Sequence, residues 1–185
     1  LDRALSLGQR VNDAQFFKAL ALIQLNDVSG ALKALGAVGP STNYARALQE
    51  AAAILVSQGD IGAANAFFEK HRKVHTDGAE LNFVVHAETL QTLGSIEAES
   101  VLSRGISAFP TSTRLLFARA NFRERAGFFD LAEADYRQIL NLNPGDANAL
   151  NALGYALTNN TDRFQEAAGL LEEAISKDPR NPAII

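Results

Sequence analysis

The chain has 185 residues, with 17 lysines and arginines against 21 aspartates and glutamates, a formal net charge of −4 and no cysteine. That balance speaks against a basic nucleic-acid reader, and the missing cysteines exclude disulfides, thiolate metal sites and cysteine nucleophiles in this segment. Hydrophobic content of 47% suits a folded chain, and no apolar run approaches the length of a membrane span.

In chain order, Leu1–Gly8 reads as the tail of an upstream helix. Asn12 or Asp13 is the expected cap of the next, through AQFFKALALIQL. Asn26-Asp27 turns the chain into a second helix, Val28–Leu35, which stops at Gly36 and Gly39-Pro40. Ser41 is the expected cap of a helix through Ser57, and Gly59-Asp60 turns into Ile61–Val74. Asp77-Gly78 leads to Ala79–Thr92, and Leu93-Gly94-Ser95 to Glu97–Ala108, closed by Pro110. Thr111 or Ser112 caps Thr113–Ala126, Gly127 turns, and Phe129–Asn141 ends at Asn143-Pro144. Asp146 caps the first helix of the final pair and Asp162 the second, which ends before Pro179. No stretch alternates with period two long enough to need a strand. The last residues, NPAII, read as the start of another unit, so the chain is expected to be a piece of a longer protein.

The helices repeat. Alanines recur at Ala31, Ala64, Ala98, Ala132 and Ala167, and four residues after each comes Leu35, Phe68, Leu102, Tyr136 or Leu171. Twelve or thirteen residues before each lies Ala19, Ala52, His86, Ala120 or Gly154. Small residues let two helices of a hairpin approach, and the large ones fill the space to the next hairpin. The units run about 12–40, 41–76, 77–110, 111–144 and 145–179, one solenoid over the whole chain.

The segments ALNALGYAL and FQEAAGLLEEAISKDP, with this period, resemble a tetratricopeptide repeat. The resemblance implies an all-α, right-handed superhelix of hairpins whose first helices line a concave groove. The groove positions are Arg46, Gln49, Phe83, Arg114, Phe117, Asn121, Arg125, Asn148, Asn151 and Tyr155. Amides there suit an extended backbone, aromatics suit apolar side chains, and arginines suit carboxylates. The positions that grip a C-terminal carboxylate in chaperone-binding members hold Phe16, Leu20, Glu50, Glu80 and Val84, which do not supply that clamp. The stretch from LLFARANFRERAGFFDLAEADYRQIL through LNALGYALTNNTDRF is similar to bacterial periplasmic and outer-membrane tetratricopeptide lipoproteins, such as the lipoprotein partner of a carboxy-terminal processing protease. That resemblance implies an envelope adaptor for a protease and its substrates, with any lipid anchor outside this segment. The alternatives are a structural module of a secretion, pilus or polysaccharide-export system, or the regulatory arm of an enzyme whose catalytic domain lies elsewhere. No cofactor is expected.

Other chemistry is thin. His71 and His75 lie four apart, but HRKVH lacks the glutamate base of HExxH and reads as a solvated basic helix end. His86 stands in a small-residue rung, as a packed histidine. Glu166, Glu172 and Glu173 read as solvating charges rather than an acid pair. No GxSxG elbow and no GxxxxGK loop occurs. Arg119, beside a small rung, is expected to pair with Asp135 on the return helix.

Overall fold

The computed structural model describes residues 2–180; Leu1 and residues 181–185, with the expected start of a further unit, lie outside it. Among the described residues ten α-helices follow one another: α1 (Asp2–Gln24), α2 (Val28–Leu35), α3 (Tyr44–Gln58), α4 (Ile61–Val74), α5 (Ala79–Thr92), α6 (Glu97–Ala108), α7 (Thr113–Arg125), α8 (Phe129–Leu142), α9 (Ala147–Asn160) and α10 (Phe164–Lys177). A short 3-10 turn, Thr76–Gly78, follows α4. There are no strands among the described residues.

The chain divides into two compact units, residues 1–101 and 102–185. In the first, α1 packs on α2, α2 on α3, and α3 and α4 on each other and on α5. In the second, α7 packs on α8, α8 on α9 and α9 on α10. Turns of a few residues join α1 to α2, α3 to α4, α7 to α8 and α9 to α10, so each of these pairs is an antiparallel hairpin.

The repeat ladder carries the packing. Ala31, Ala64, Ala98, Ala132 and Ala167 are all buried, and so are Leu35, Phe68, Leu102 and Tyr136. Ala19, His86 and Ala120 are completely enclosed. At Gly154 an added Cβ would stand 2.7 Å from Leu171 Cγ, so the α9–α10 contact is closed by the missing side chain itself. The ladder slips once: Ala52 is only half-buried, and its neighbour Ala51 takes the enclosed position. Helix α3 packs against three helices, α2, α4 and α5, and the deepest point of its surface falls one residue earlier.

Three expected boundaries are corrected. No break occurs at Asn12 or Asp13; α1 runs through them. Their side chains serve distant backbone and side-chain groups instead, Asn12 Oδ1 accepting from the Gly39 amide at 3.0 Å and Asp13 Oδ1 from Asn43 Nδ2 at 2.8 Å. Helix α3 starts after Asn43 rather than after Ser41, and the Asn43 side chain, turned to Asp13, makes no capping bond. Helix α10 starts after Arg163 rather than Asp162, and the Arg163 amide donates to Thr161 Oγ1 at 3.1 Å. The caps at Ser112 and Asp146 stand as expected, and Asp27 and Asp60, read from the sequence only as turn residues, are caps as well; each of the four side chains accepts a first-turn amide. Pro110, Pro144 and Pro179 each follow a helix end by two residues.

Candidate functional site

The expected groove residues fall on helix stripes. Arg46 and Gln49 lie on α3, Phe83 on α5. Arg114, Phe117, Asn121 and Arg125 lie at spacings of three or four along α7, and Asn148, Asn151 and Tyr155 along α9. The first three belong to the first unit and the other seven to the second.

Their surroundings differ. Arg46, Gln49, Arg114, Arg125, Asn148 and Tyr155 are exposed. Arg46 lies over the Phe16 ring at 5.2 Å. Phe83 is half-buried, with the Arg72 guanidinium 4.2 Å above its ring, so one aromatic face is already taken. Phe117 is half-buried against the α7–α10 core and meets Tyr136 edge-on at 5.6 Å. Asn121 Oδ1 and Glu124 Oε2 stand 2.8 and 2.9 Å from the Tyr136 hydroxyl. That hydroxyl has one proton for two acceptors; turning the Asn121 amide so that Nδ2 donates to it satisfies all three groups. Burial first, and then Glu124, holds the Tyr136 hydroxyl well above its ordinary value. Phe16 and Val84, at clamp positions, are buried and apolar.

The second unit is held by two charge clusters. Asp135, 2% exposed, accepts from Arg119 Nε at 3.0 Å and Nη2 at 2.7 Å, and from Arg123 Nη1 at 2.8 Å. Arg119 also reaches Ser103 Oγ at 3.1 Å. The expected Arg119–Asp135 pair is present, joined by Arg123, whose contribution the sequence did not reveal. Nearer the surface, Arg137 bridges Glu133 and Glu166 at 2.8 and 2.5 Å, and Arg163 bonds Glu133. Arg163 first, with help from Arg137, keeps the Glu133 carboxyl below the usual carboxylate range. Glu166 is therefore part of an ion-pair cluster rather than a solvating charge, because α8 brings Arg137 to it. Glu173 stays near Lys177 at 3.9 Å.

In the first unit the histidines are internal. His71 is 2% exposed, not solvated as its HRKVH setting suggested. Its Nε2 stands 3.2 Å from the Val38 carbonyl, and its Nδ1 3.3 Å from Asn82 Nδ2. A carbonyl only accepts, so Nε2 carries the proton and Nδ1 accepts from the amide. Burial, then the neighbouring His75, pushes the imidazole down to about 4. Both nitrogens are engaged, which leaves His71 no lone pair for a metal. Asn82 Oδ1 in turn accepts from Arg72 Nη1 at 2.6 Å. The same Nη1 stands 3.1 Å from His86 Nδ1, and His86 Nε2 2.9 Å from Asn65 Oδ1. Arginine only donates, so the proton of His86 is on Nε2. Asn65 Nδ2 closes the chain on Glu97 Oε2 at 2.8 Å. His86 also stacks on Phe68 at 4.9 Å. The packed histidine of the third repeat thus anchors a polar network through Arg72. Tyr44 adds a second tie, donating to the Gly78 carbonyl at 3.0 Å; a Cβ at Gly78 would strike its hydroxyl at 2.3 Å.

The described residues contain no group of three or more histidines, cysteines and acids able to hold a metal, and no helix long and apolar enough to cross a membrane. What the arrangement offers is surface on rigid, polar-locked hairpins.

Comparison with known proteins agrees with this architecture. Residues 117–182 match the tetratricopeptide repeat family model. Over 176 residues the chain is 29% identical to a TPR repeat-containing protein of Pseudomonas aeruginosa, and the match takes in 95% of this chain but 30% of that protein. The crystal structure of YrrB, a TPR protein with an unusual peptide-binding site, superposes with a TM-score of 0.57 at 20% identity, over 92% of this chain and 88% of that one. The first TPR of Spaghetti (RPAP3), bound to the HSP90 peptide SRMEEVD, gives 0.52 at 24% identity, over 57% and 83%. The fold is that of the tetratricopeptide-repeat proteins, and residues 117–182 carry the repeat itself.

Proposed function

We propose that the chain is a non-catalytic scaffold that binds a protein or peptide partner along the first helices of its hairpins. The observation that carries this is the pair of stripes in the second unit, Arg114–Phe117–Asn121–Arg125 on α7 and Asn148–Asn151–Tyr155 on α9. They combine cations, amides and rings; the back of α7 is fixed by the Asp135 cluster and Tyr136, and that of α9 by its close contact with α10 at Gly154. Rigid support of this kind lowers the ordering cost of binding. Spaghetti's first TPR holds a peptide, and YrrB has a peptide-binding site, which supports a peptide-like partner here. The partner we favour is a bacterial envelope protease and its substrates, on the resemblance of the C-terminal repeats to envelope lipoproteins.

The test is affinity capture from a periplasmic and outer-membrane extract with the 185-residue chain, beside an Arg114→Ala/Tyr155→Ala variant. Both side chains are exposed, so the variant keeps its core. Retention of a processing protease or its substrates, lost in the variant, is the expected result. Equal retention by both proteins would remove the α7–α9 face from consideration. Retention of export or secretion components instead would replace the adaptor reading with an assembly role.

A further inference from the structure

The first unit holds a hollow that the groove reading does not use. It lies between α2 and α4, the second helices of their hairpins, with a volume of about 460 Å³. Leu32 and Phe67 give it an apolar floor, the exposed Val74 extends the apolar lining, and Gly36 and Ala37 add little side chain to fill it. A Cβ at Gly36 would already sit 3.4 Å from the Phe67 ring. The one polar group in the floor, His71, spends both ring nitrogens on Val38 and Asn82. Recognition at the bottom is therefore by apolar contact alone.

The rim differs from the floor. Lys33 from α2 and Lys70 from α4 flank the trough, both exposed, and among the described residues neither is ion-paired. Lys73 follows one turn along on α4, also exposed. The chain as a whole carries a net charge of −4, so this is a local reversal of sign. Phe67, Lys70, His71 and Val74 recur at three- and four-residue steps along α4, which gives the trough a length of about two helical turns, or ~10 Å at 1.5 Å per residue.

We infer that this α2–α4 trough is a second docking site, for an amphipathic segment of a partner protein that presents large apolar side chains flanked by carboxylates. The apolar floor takes the anchors and the lysines take the acids, a helix-in-groove arrangement. Small molecules are usually enclosed by their sites. This hollow is only half enclosed, which favours side chains held on a backbone over a free ligand. Charge complementarity sets the partner's sign, because a basic segment would place like charges against Lys33 and Lys70.

The test uses fluorescence anisotropy of a short labelled amphipathic peptide of leucine, phenylalanine and glutamate, the same peptide with lysine in place of glutamate, and laurate as competitor. The expected result is saturable binding of the acidic peptide that weakens with salt and falls at least about tenfold in Lys33→Glu/Lys70→Glu. Val74→Glu, at an exposed position (64%), should abolish it without disturbing the core. Binding that survives both variants, or preference for the lysine peptide, would overturn the proposal. So would laurate binding to a trough that ignores the peptide. Loss of binding in Tyr155→Ala with the lysine variant unaffected would assign the peptide to α9 and overturn it as well, without touching the groove reading.

Discussion

Acid should destabilise this protein through His71 from about pH 6.5 downwards. The imidazole is enclosed, its ordinary value of 6.5 pushed down to about 4 by burial and by His75. The folded form therefore holds it neutral, while the unfolded chain binds a proton below 6.5. Stability from this group is complete above pH 6.5 and is lost as pH falls from 6.5 towards 4. Each pH unit in that window removes about 1.4 kcal/mol, about 3 kcal/mol over the whole of it. The measurement is urea unfolding of the full chain at pH 7, 6, 5 and 4, followed by circular dichroism, against His71→Gln. Glutamine can still donate to the Val38 carbonyl but does not titrate. Its lost packing shifts the variant by a constant, and the difference between the two profiles isolates the histidine. Hydrogen exchange of the α4 amides gives the local value should the two units unfold separately. The expected difference narrows by about 3 kcal/mol between pH 7 and 4. Parallel profiles, or an NMR titration of His71 in the folded chain near 6.5, would refute the assignment of a buried neutral imidazole.

Asp135→Ala leaves Arg119 and Arg123, 15% and 12% exposed, without their shared carboxylate. Unfolding should show a loss of about 3–5 kcal/mol, against a far smaller shift of the urea midpoint for Arg163→Ala in the exposed cluster. Two glycines to alanine should move stability in opposite directions. At Gly169 nothing lies within 4 Å of the added Cβ, so Gly169→Ala in α10 should stabilise by about 0.5–1 kcal/mol through helix propensity. At Gly154 the same gain meets Leu171 Cγ at 2.7 Å and the Ala167 carbonyl at 3.2 Å, and the overpacking of about 1–3 kcal/mol should win, lowering the urea midpoint.

Much of the fold was legible because its signals are local. Ser112 and Asp146 cap the helices that their positions announce, and α2, α4, α5 and α6 have the bounds read from their turns. The failure at Asn12 and Asp13 has a clear origin. A polar residue that caps and one that reaches across to Gly39 or Asn43 look alike in sequence. His71 failed for a related reason, since its basic neighbours imply solvent while its own face turns inward onto Val38, Asn82, Tyr44 and Phe67. The candidate groove positions come from the resemblance to a tetratricopeptide repeat, and helical period only lines them up along α7 and α9. That Arg72 covers Phe83 and that Phe117 leans on Tyr136 depends on which helices meet, which no single helix encodes. Gly36 and the lysines beside the trough went unnoticed for the same reason: α2 and α4 are separated by a whole helix in the chain.

Arg72 serves Asn82 and His86 through one nitrogen and lies on Phe83 as well. The other repeats fill the corresponding rung with alanine or glycine. A lineage that exchanged His86 for alanine alone would strand part of a half-buried guanidinium and open a gap beside Phe68. One that exchanged Arg72 alone would leave Asn82 and His86 short of a donor. The third repeat is therefore held in its unusual form by mutual dependence: these positions drift together or not at all, and among relatives of this chain their substitutions should be correlated.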